Sequence, residues 1–255
     1  MRNFRIILFT LLSVCSLTVR GASDLNSVLE RGRDLFGYGR RSDARHEFLR
    51  ARALLDPADR AAREEIDYYL AACAVELGRD DAEGALRDFE RRHPGSVYAN
   101  DVRFSLGSYY CAVGNMPLAR EAFERTEYKA LSAPRREQYD IRMGYVEFTQ
   151  GDYAAAYDRF ARIASRSEYA DHALYYRSYI DYAEGRYDRA KDGFTQLTRS
   201  DAYRDLVPFY LLQIEFRNGN YRYVVDHGEE LVRKAVPERQ AELERVIAES
   251  WFRLD

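Results

Sequence analysis

One glycine returns six times along this chain, and the residues around it return with it. Gly39, Gly78, Gly114, Gly151, Gly185 and Gly219 are separated by 39, 36, 37, 34 and 34 residues. Two residues after the anchor stands Arg41, Met116, Tyr153, Tyr187 or Tyr221, and five after it Ala44, Ala119, Ala156, Ala190 or Val224. Nine after it come Phe48, Phe123, Phe160 and Phe194; the second copy has two extra residues, so its Ala85 and Phe89 fall seven and eleven after Gly78. Seven before the anchor is a small residue, Ala71, Gly107, Gly144 or Ser178. A glycine between two apolar-periodic stretches suits the end of a helix, where positive φ is needed. The alanine lets two helices approach closely, the phenylalanine fills the space beside it, and the small residue admits the second helix against the first. Each copy is therefore one helical hairpin. A hairpin cannot bury its apolar face alone, so the pattern predicts a stack.

With these offsets agreeing over five or six copies, the chain resembles the tetratricopeptide-repeat superfamily from about residue 24 onward. The resemblance implies an all-α fold, a right-handed α-solenoid of about six repeats plus one extra helix. Residues 1–21 read as a signal peptide, then repeats over 22–56, 57–95, 96–131, 132–166, 167–199 and 200–235, and 236–255 as the first helix of a seventh. The registers YANDVRFSLGSYYCAVGNMPLAREAF and YADHALYYRSYIDYAEGRYDRAKDGF are similar to those of exported repeat proteins of Gram-negative bacteria, BamD-like lipoproteins and large tandem-repeat envelope proteins among them.

The first residues, MRNFRIILFTLLSVCSLTV, place two arginines before an apolar run, the layout of a secretory signal. Cleavage after Gly21 puts Val19 and Gly21 at the small-residue sites; the alternatives are lipidation at Cys15, where Val14 is a poor fit to a lipobox, and an uncleaved anchor. Ser42 reads as the cap of the second helix and Pro57 as the opening of the third. Asn115 and Pro117 mark another helix start, and Pro237 opens ERQAELERVIAESWFRLD. Nothing after that helix covers Trp251 and Phe252, so a longer array or another chain is expected at this end.

A net charge of −3, with arginines alternating with Asp and Glu, gives no electrostatic case for nucleic acid or an anionic membrane surface. His46, His93, His172 and His227 fall in four different repeats without metal-ligand spacing and read as surface histidines. Glu64-Glu65 and Asp80-Asp81 suit helix N-termini rather than acid/base pairs. Cys73 and Cys111 stand at unequal offsets and read as free thiols. No phosphate loop, HExxH or GxSxG occurs, so no catalytic residue, metal or cofactor is expected.

The aromatic residues carry the functional reading. By the resemblance, positions ten, six and three before each anchor face a concave groove. They hold Tyr68; Phe104; Ile141, Tyr145 and Phe148; Tyr175, Tyr179 and Tyr182; and Phe209, Gln213 and Phe216. Tyrosine offers a large ring with a wet hydroxyl to a peptide, although the same positions also serve inter-helix packing. Family members that bind chaperone tails carry a Lys/Asn clamp in the groove, and none is visible here. The expectation is a non-catalytic scaffold in the periplasm or on the periplasmic face of the outer membrane, binding a protein or peptide partner. It would meet the membrane only through a lipid anchor or a partner complex. A BamD-like structural subunit and a glycan- or peptidoglycan-associated module are the alternatives.

Overall fold

The structure, a computed structural model, describes residues 24–255. The signal-peptide and Cys15 expectations lie outside the described residues. Every regular element among those residues is helical. The first compact unit runs to Ser132 and holds α1 (residues 24–37), α2 (Arg41–Leu54), α3 (Arg60–Glu76), α4 (Ala82–Arg92), α5 (Ala99–Ala112) and α6 (Met116–Glu124). The second begins at Ala133 and holds α7 (Ala133–Thr149), α8 (Tyr153–Phe160), α9 (Ala170–Ala183), α10 (Tyr187–Leu197), α11 (Val207–Arg217), α12 (Tyr221–Lys234) and α13 (Pro237–Leu254).

All six anchor glycines have positive φ, between 60° and 81°, and every other residue with positive φ is absent among those described. Each anchor ends a helix in the same way. At Gly151 the glycine N–H donates to Phe148 O at 3.1 Å and the following Asp152 N–H to Glu147 O at 2.9 Å. This is the Schellman arrangement, which satisfies carbonyls the helix end would otherwise leave open. Its geometry is why no side chain other than hydrogen is comfortable there.

The recurring phenylalanine is held from two sides. A Cβ built on Gly32, Gly107 or Gly144 would lie 2.9, 2.6 or 2.8 Å from the ring of Phe48, Phe123 or Phe160 in the same hairpin. The first helix thus lays bare backbone on one side of the ring. The next hairpin brings a tyrosine to the other: Phe48 stacks on Tyr69 at 4.5 Å, Phe160 on Tyr176 at 5.1 Å and Phe194 on Tyr210 at 4.8 Å. These tyrosines all stand nine residues before an anchor. Burial and stacking together make Phe48, Phe160 and Phe194 joints between successive hairpins.

Two helix starts differ from expectation. Ser42 lies inside α2, whose cap is Arg40 with no side-chain cap bond. Pro57 sits in a turn before α3: Asp56 Oδ1 accepts from Ala58 N–H at 2.8 Å, and Asp59 caps the helix by accepting from Ala62 N–H at 3.0 Å. Asn115 caps α6 as expected, with Pro117 in its first turn. In the second hairpin the two extra residues shift the register. Ala82, Leu86 and Phe89 are the buried set of α4, and Ala85 is only half-buried.

Candidate functional site

In the second unit the first helices of three successive hairpins, α7, α9 and α11, carry one connected run of aromatic rings. Tyr145 meets Tyr176 at 5.6 Å, Phe148 meets Tyr176 at 4.9 Å and Tyr179 at 5.4 Å. Tyr175, Tyr179 and Tyr182 all reach Tyr210, at 6.2, 5.8 and 5.6 Å, and Tyr175 stacks on Tyr203 at 4.6 Å. Tyr145, Phe148, Tyr175, Tyr179, Tyr182, Phe209 and Phe216 are each half-buried, whereas Tyr203 and Tyr210 are buried.

The hydroxyls of Tyr175, Tyr179 and Tyr182 are kept as neutral phenols. Burial raises the Tyr175 pKa, and the 3.3 Å contact with the Tyr210 hydroxyl adds to it. Burial also raises Tyr179 and Tyr182, although at Tyr182 a hydrogen bond with Arg217 opposes it. Such a surface offers ring faces and uncharged O–H groups to a ligand, and no titratable nucleophile.

The remaining groove positions lie deeper. Tyr68 is buried, stacked on Tyr98 at 4.1 Å with its hydroxyl 3.3 Å from Asp101. Phe104 and Ile141 are buried too. Gln213 is 2% exposed, and its Nε2 has no hydrogen-bond partner. A dry, unpaired amide costs roughly 1–3 kcal/mol. These four positions contribute to packing in this structure. The accessible ring surface belongs to the second unit's half-buried set.

Sequence reasoning passed over Tyr210, the hub of the run, and Tyr176 and Tyr203 beside it. The offset of nine before the anchor, shared by Tyr69, Tyr176 and Tyr210, was the available signal. It also passed over a charged feature. Four residues before each anchor of the second unit is a buried acid, Glu147, Asp181 or Glu215. Glu147 takes Arg159 Nε at 2.8 Å, Asp181 takes Arg186 Nε at 2.6 Å and Glu215 takes Lys191 Nζ at 2.5 Å. Asp140, also buried, lies 3.4 Å from Arg159 and from Arg162.

His93 is not a free surface side chain: its Nε2 lies 3.1 Å from Asp67, which also pairs with Arg52 at 3.0 Å. His46, His172 and His227 are exposed. Glu65 pairs with Arg33 at 2.6 Å and Asp81 with Arg79 at 2.9 Å. Cys73 is buried and Cys111 half-buried, and burial pushes the Cys73 thiol up to about 11. Among the described residues no group of His, Cys, Asp and Glu is placed to hold a metal, and no helix is long and apolar enough to cross a membrane.

No family model and no curated protein matches the sequence. Solved structures do match. A tetratricopeptide repeat protein from Parabacteroides merdae aligns over 90% of this chain and 87% of its own, at 14% identity and a TM-score of 0.54. A chain of the APC/C hetero-tetramer Cut9–Hcn1 aligns over 89% of this chain and 42% of its own, at 16% identity and a TM-score of 0.50. Identity this low speaks to fold alone, and it agrees with the glycine anchors and the stacked hairpins. The chain has the tetratricopeptide-repeat fold.

Proposed function

We propose that this protein is a non-catalytic scaffold that binds a segment of a protein partner on the aromatic surface of its second unit. One observation carries the reading: rings from α7, α9 and α11 form one connected run, half-buried on α7 and α9 and joined to α11 through the buried Tyr210, with neutral hydroxyls among them. Tyrosine-rich surfaces bind through large contact area at low entropic cost, because the rings are already held by packing. The mechanism is recognition, with no bond made or broken. The fold is compatible with this: the related hetero-tetramer chain is itself part of a protein complex. The basic-then-apolar N-terminal sequence favours action in the cell envelope after export.

A second reading, a structural subunit held in a larger envelope assembly, is favoured by α13. Its Trp251 is 48% exposed and Phe252 80%, apolar surface of the kind that protein interfaces cover. The test uses the whole chain as bait in envelope extract, beside a variant carrying Tyr145→Ala, Tyr179→Ala and Tyr182→Ala whose folding is checked by circular dichroism. A partner recovered by the parent and lost by the folded variant supports the aromatic surface. Equal recovery by both sinks it. Loss with Trp251→Ser and Phe252→Ser instead moves the interface to α13.

A further inference from the structure

At one end of the aromatic run stands a cation without an acid. Arg239, in the first turn of α13, lies with its guanidinium carbon 4.9 Å from the centre of the Phe209 ring and 5.7 Å from that of Tyr210. Among the described residues it makes no ion pair and no side-chain hydrogen bond. Its neighbours are different: Arg204 pairs with Asp201 at 2.8 Å and Lys234 with Glu230 at 2.6 Å.

These three cations, with Asp205 as the single acid, line a cavity of about 700 Å³ between α11, α12 and α13. The rest of its wall is apolar, chiefly Leu206, Pro208, Phe209, Leu231, Val236 and Leu243. That size lies within the range of clefts that admit a ligand group. Phe209 belongs to both surfaces, lining the cavity and continuing the aromatic run. A chain segment lying on the rings would reach this cavity next.

A guanidinium stacked on an aromatic face keeps its N–H edge free, and that edge matches a carboxylate with two parallel hydrogen bonds. The stack holds Arg239 in place beforehand, which reduces the entropy lost when an acid arrives. We propose that the cavity docks an acidic-apolar segment of the protein partner. A bulky apolar side chain enters beside Phe209, and the side-chain carboxylate of a neighbouring aspartate or glutamate takes the Arg239 fork. With Arg204 and Lys234 already paired with Asp201 and Glu230, Arg239 is the cation that sets the sign of the partner. This rests on the reading of the second unit as a partner surface and specifies the chemistry that surface selects.

The test is fluorescence anisotropy with a labelled peptide, blocked at both ends, in which aspartate alternates with phenylalanine. The control peptide replaces each aspartate by asparagine. The parent should bind the acidic peptide at least ten-fold more tightly than the control, and added salt should narrow the gap. Arg239→Gln should remove the preference, and Arg239→Lys should keep part of it. Val236→Asp, at a 55% exposed wall position, should abolish binding without disturbing the fold. Equal affinity for both peptides, absence of binding, or a preference untouched by Arg239→Gln overturns the proposal. So does self-association of the chain that Arg239→Gln disrupts, since the occupant would then be a second copy. The triple tyrosine variant separates this from the broader reading: partner loss there, with Arg239→Gln silent, keeps the aromatic surface and removes the acidic selectivity.

Discussion

The two units build the same hairpin but finish it differently. Four residues before the anchor glycine is the position whose carbonyl accepts the closing bond of the helix end. In the first unit that position holds Leu35, Ala74 and Tyr110; in the second it holds Glu147, Asp181 and Glu215. Tyr110 is met at its hydroxyl by Arg87, a half-exposed side chain, whereas Glu147 is buried beneath Arg159. The difference teaches that the backbone of the repeat does not dictate the chemistry of this site. An apolar residue and a paired acid both fit, but with opposite consequences when a partner is removed. Replacing a buried pair by apolar groups is often harmless, while removing one member leaves an uncompensated charge.

The largest expected effect follows directly. Burial works against the charge of Arg159, yet the hydrogen bond and attraction of Glu147 hold its pKa above the ordinary arginine value. Arg159→Ala would strand Glu147, whose side chain is 4% exposed, and should cost roughly 3–5 kcal/mol. Arg87→Ala, its counterpart in the first unit, removes a 55% exposed side chain and should cost less than about 1 kcal/mol. Denaturant unfolding of the two variants measures the contrast. Equal losses would mean that the acids of the second unit are effectively solvated and the comparison is empty.

A second experiment asks what the units share. Gly107→Ala would set a methyl 2.6 Å from the Phe123 ring, and Gly144→Ala one 2.8 Å from Phe160. Each should cost about 1–3 kcal/mol through overpacking. Similar losses in thermal unfolding would show that the glycine–phenylalanine joint is common to both units. A neutral result at either position would show that the ring can move aside there.

A smaller effect comes from acid. Burial alone would raise the Glu215 pKa, but hydrogen bonds from Lys191 and Asn220 outweigh it and hold the carboxyl below its ordinary value. A depressed carboxyl contributes stability above its unfolded value, and that contribution disappears as pH falls through the folded one. The loss should therefore set in below about pH 4.3, the ordinary glutamate value. Glu215→Gln should shallow the fall in melting temperature over that range. In the first unit Asp81 is also held low, first by its hydrogen bond with Arg79, but both side chains are solvent-screened. Asp81→Asn should leave the acid profile unchanged. Identical profiles for the parent and Glu215→Gln would remove Glu215 as a source of acid sensitivity.

Much of the fold was legible because its determinants are local or recur at fixed offsets. Positive φ at Gly39 through Gly219 follows from the helix-ending pattern, and the close approach at Gly107 follows from a small residue placed opposite Phe123. The site was less legible. Tyr179 and Gln213 occupy the same offset, yet one keeps an accessible face and the other is dry, a result of neighbouring helices that no single offset records. Arg239 carried no signal at all, since its significance is the absence of an acid near it in space. Ser42 misled because a serine near a helix start competes with its neighbours for the capping position. The paired acids Glu147, Asp181 and Glu215 share one offset in the sequence and were passed over.

The smallest effect concerns the hairpin that departs from the repeat. Two extra residues after Gly78 leave Ala85 half-buried and Gly84 with nothing within 4 Å of an added Cβ. Both line a cavity of about 440 Å³ between α2, α3 and α4, where the other hairpins bring their alanine into full contact. Gly84 lies within α4 and has no positive φ, so its backbone freedom serves no turn. Gly84→Ala should therefore stabilise the chain by roughly 0.5–1 kcal/mol, by removing unfolded-state freedom and favouring helix. This is opposite in sign to Gly107→Ala in the same unit, although the two substitutions are chemically identical. A modest rise in the unfolding midpoint is the expected result. A fall would mean that the space over Gly84 is needed, and that the irregular second hairpin is a site rather than a slack copy of the repeat.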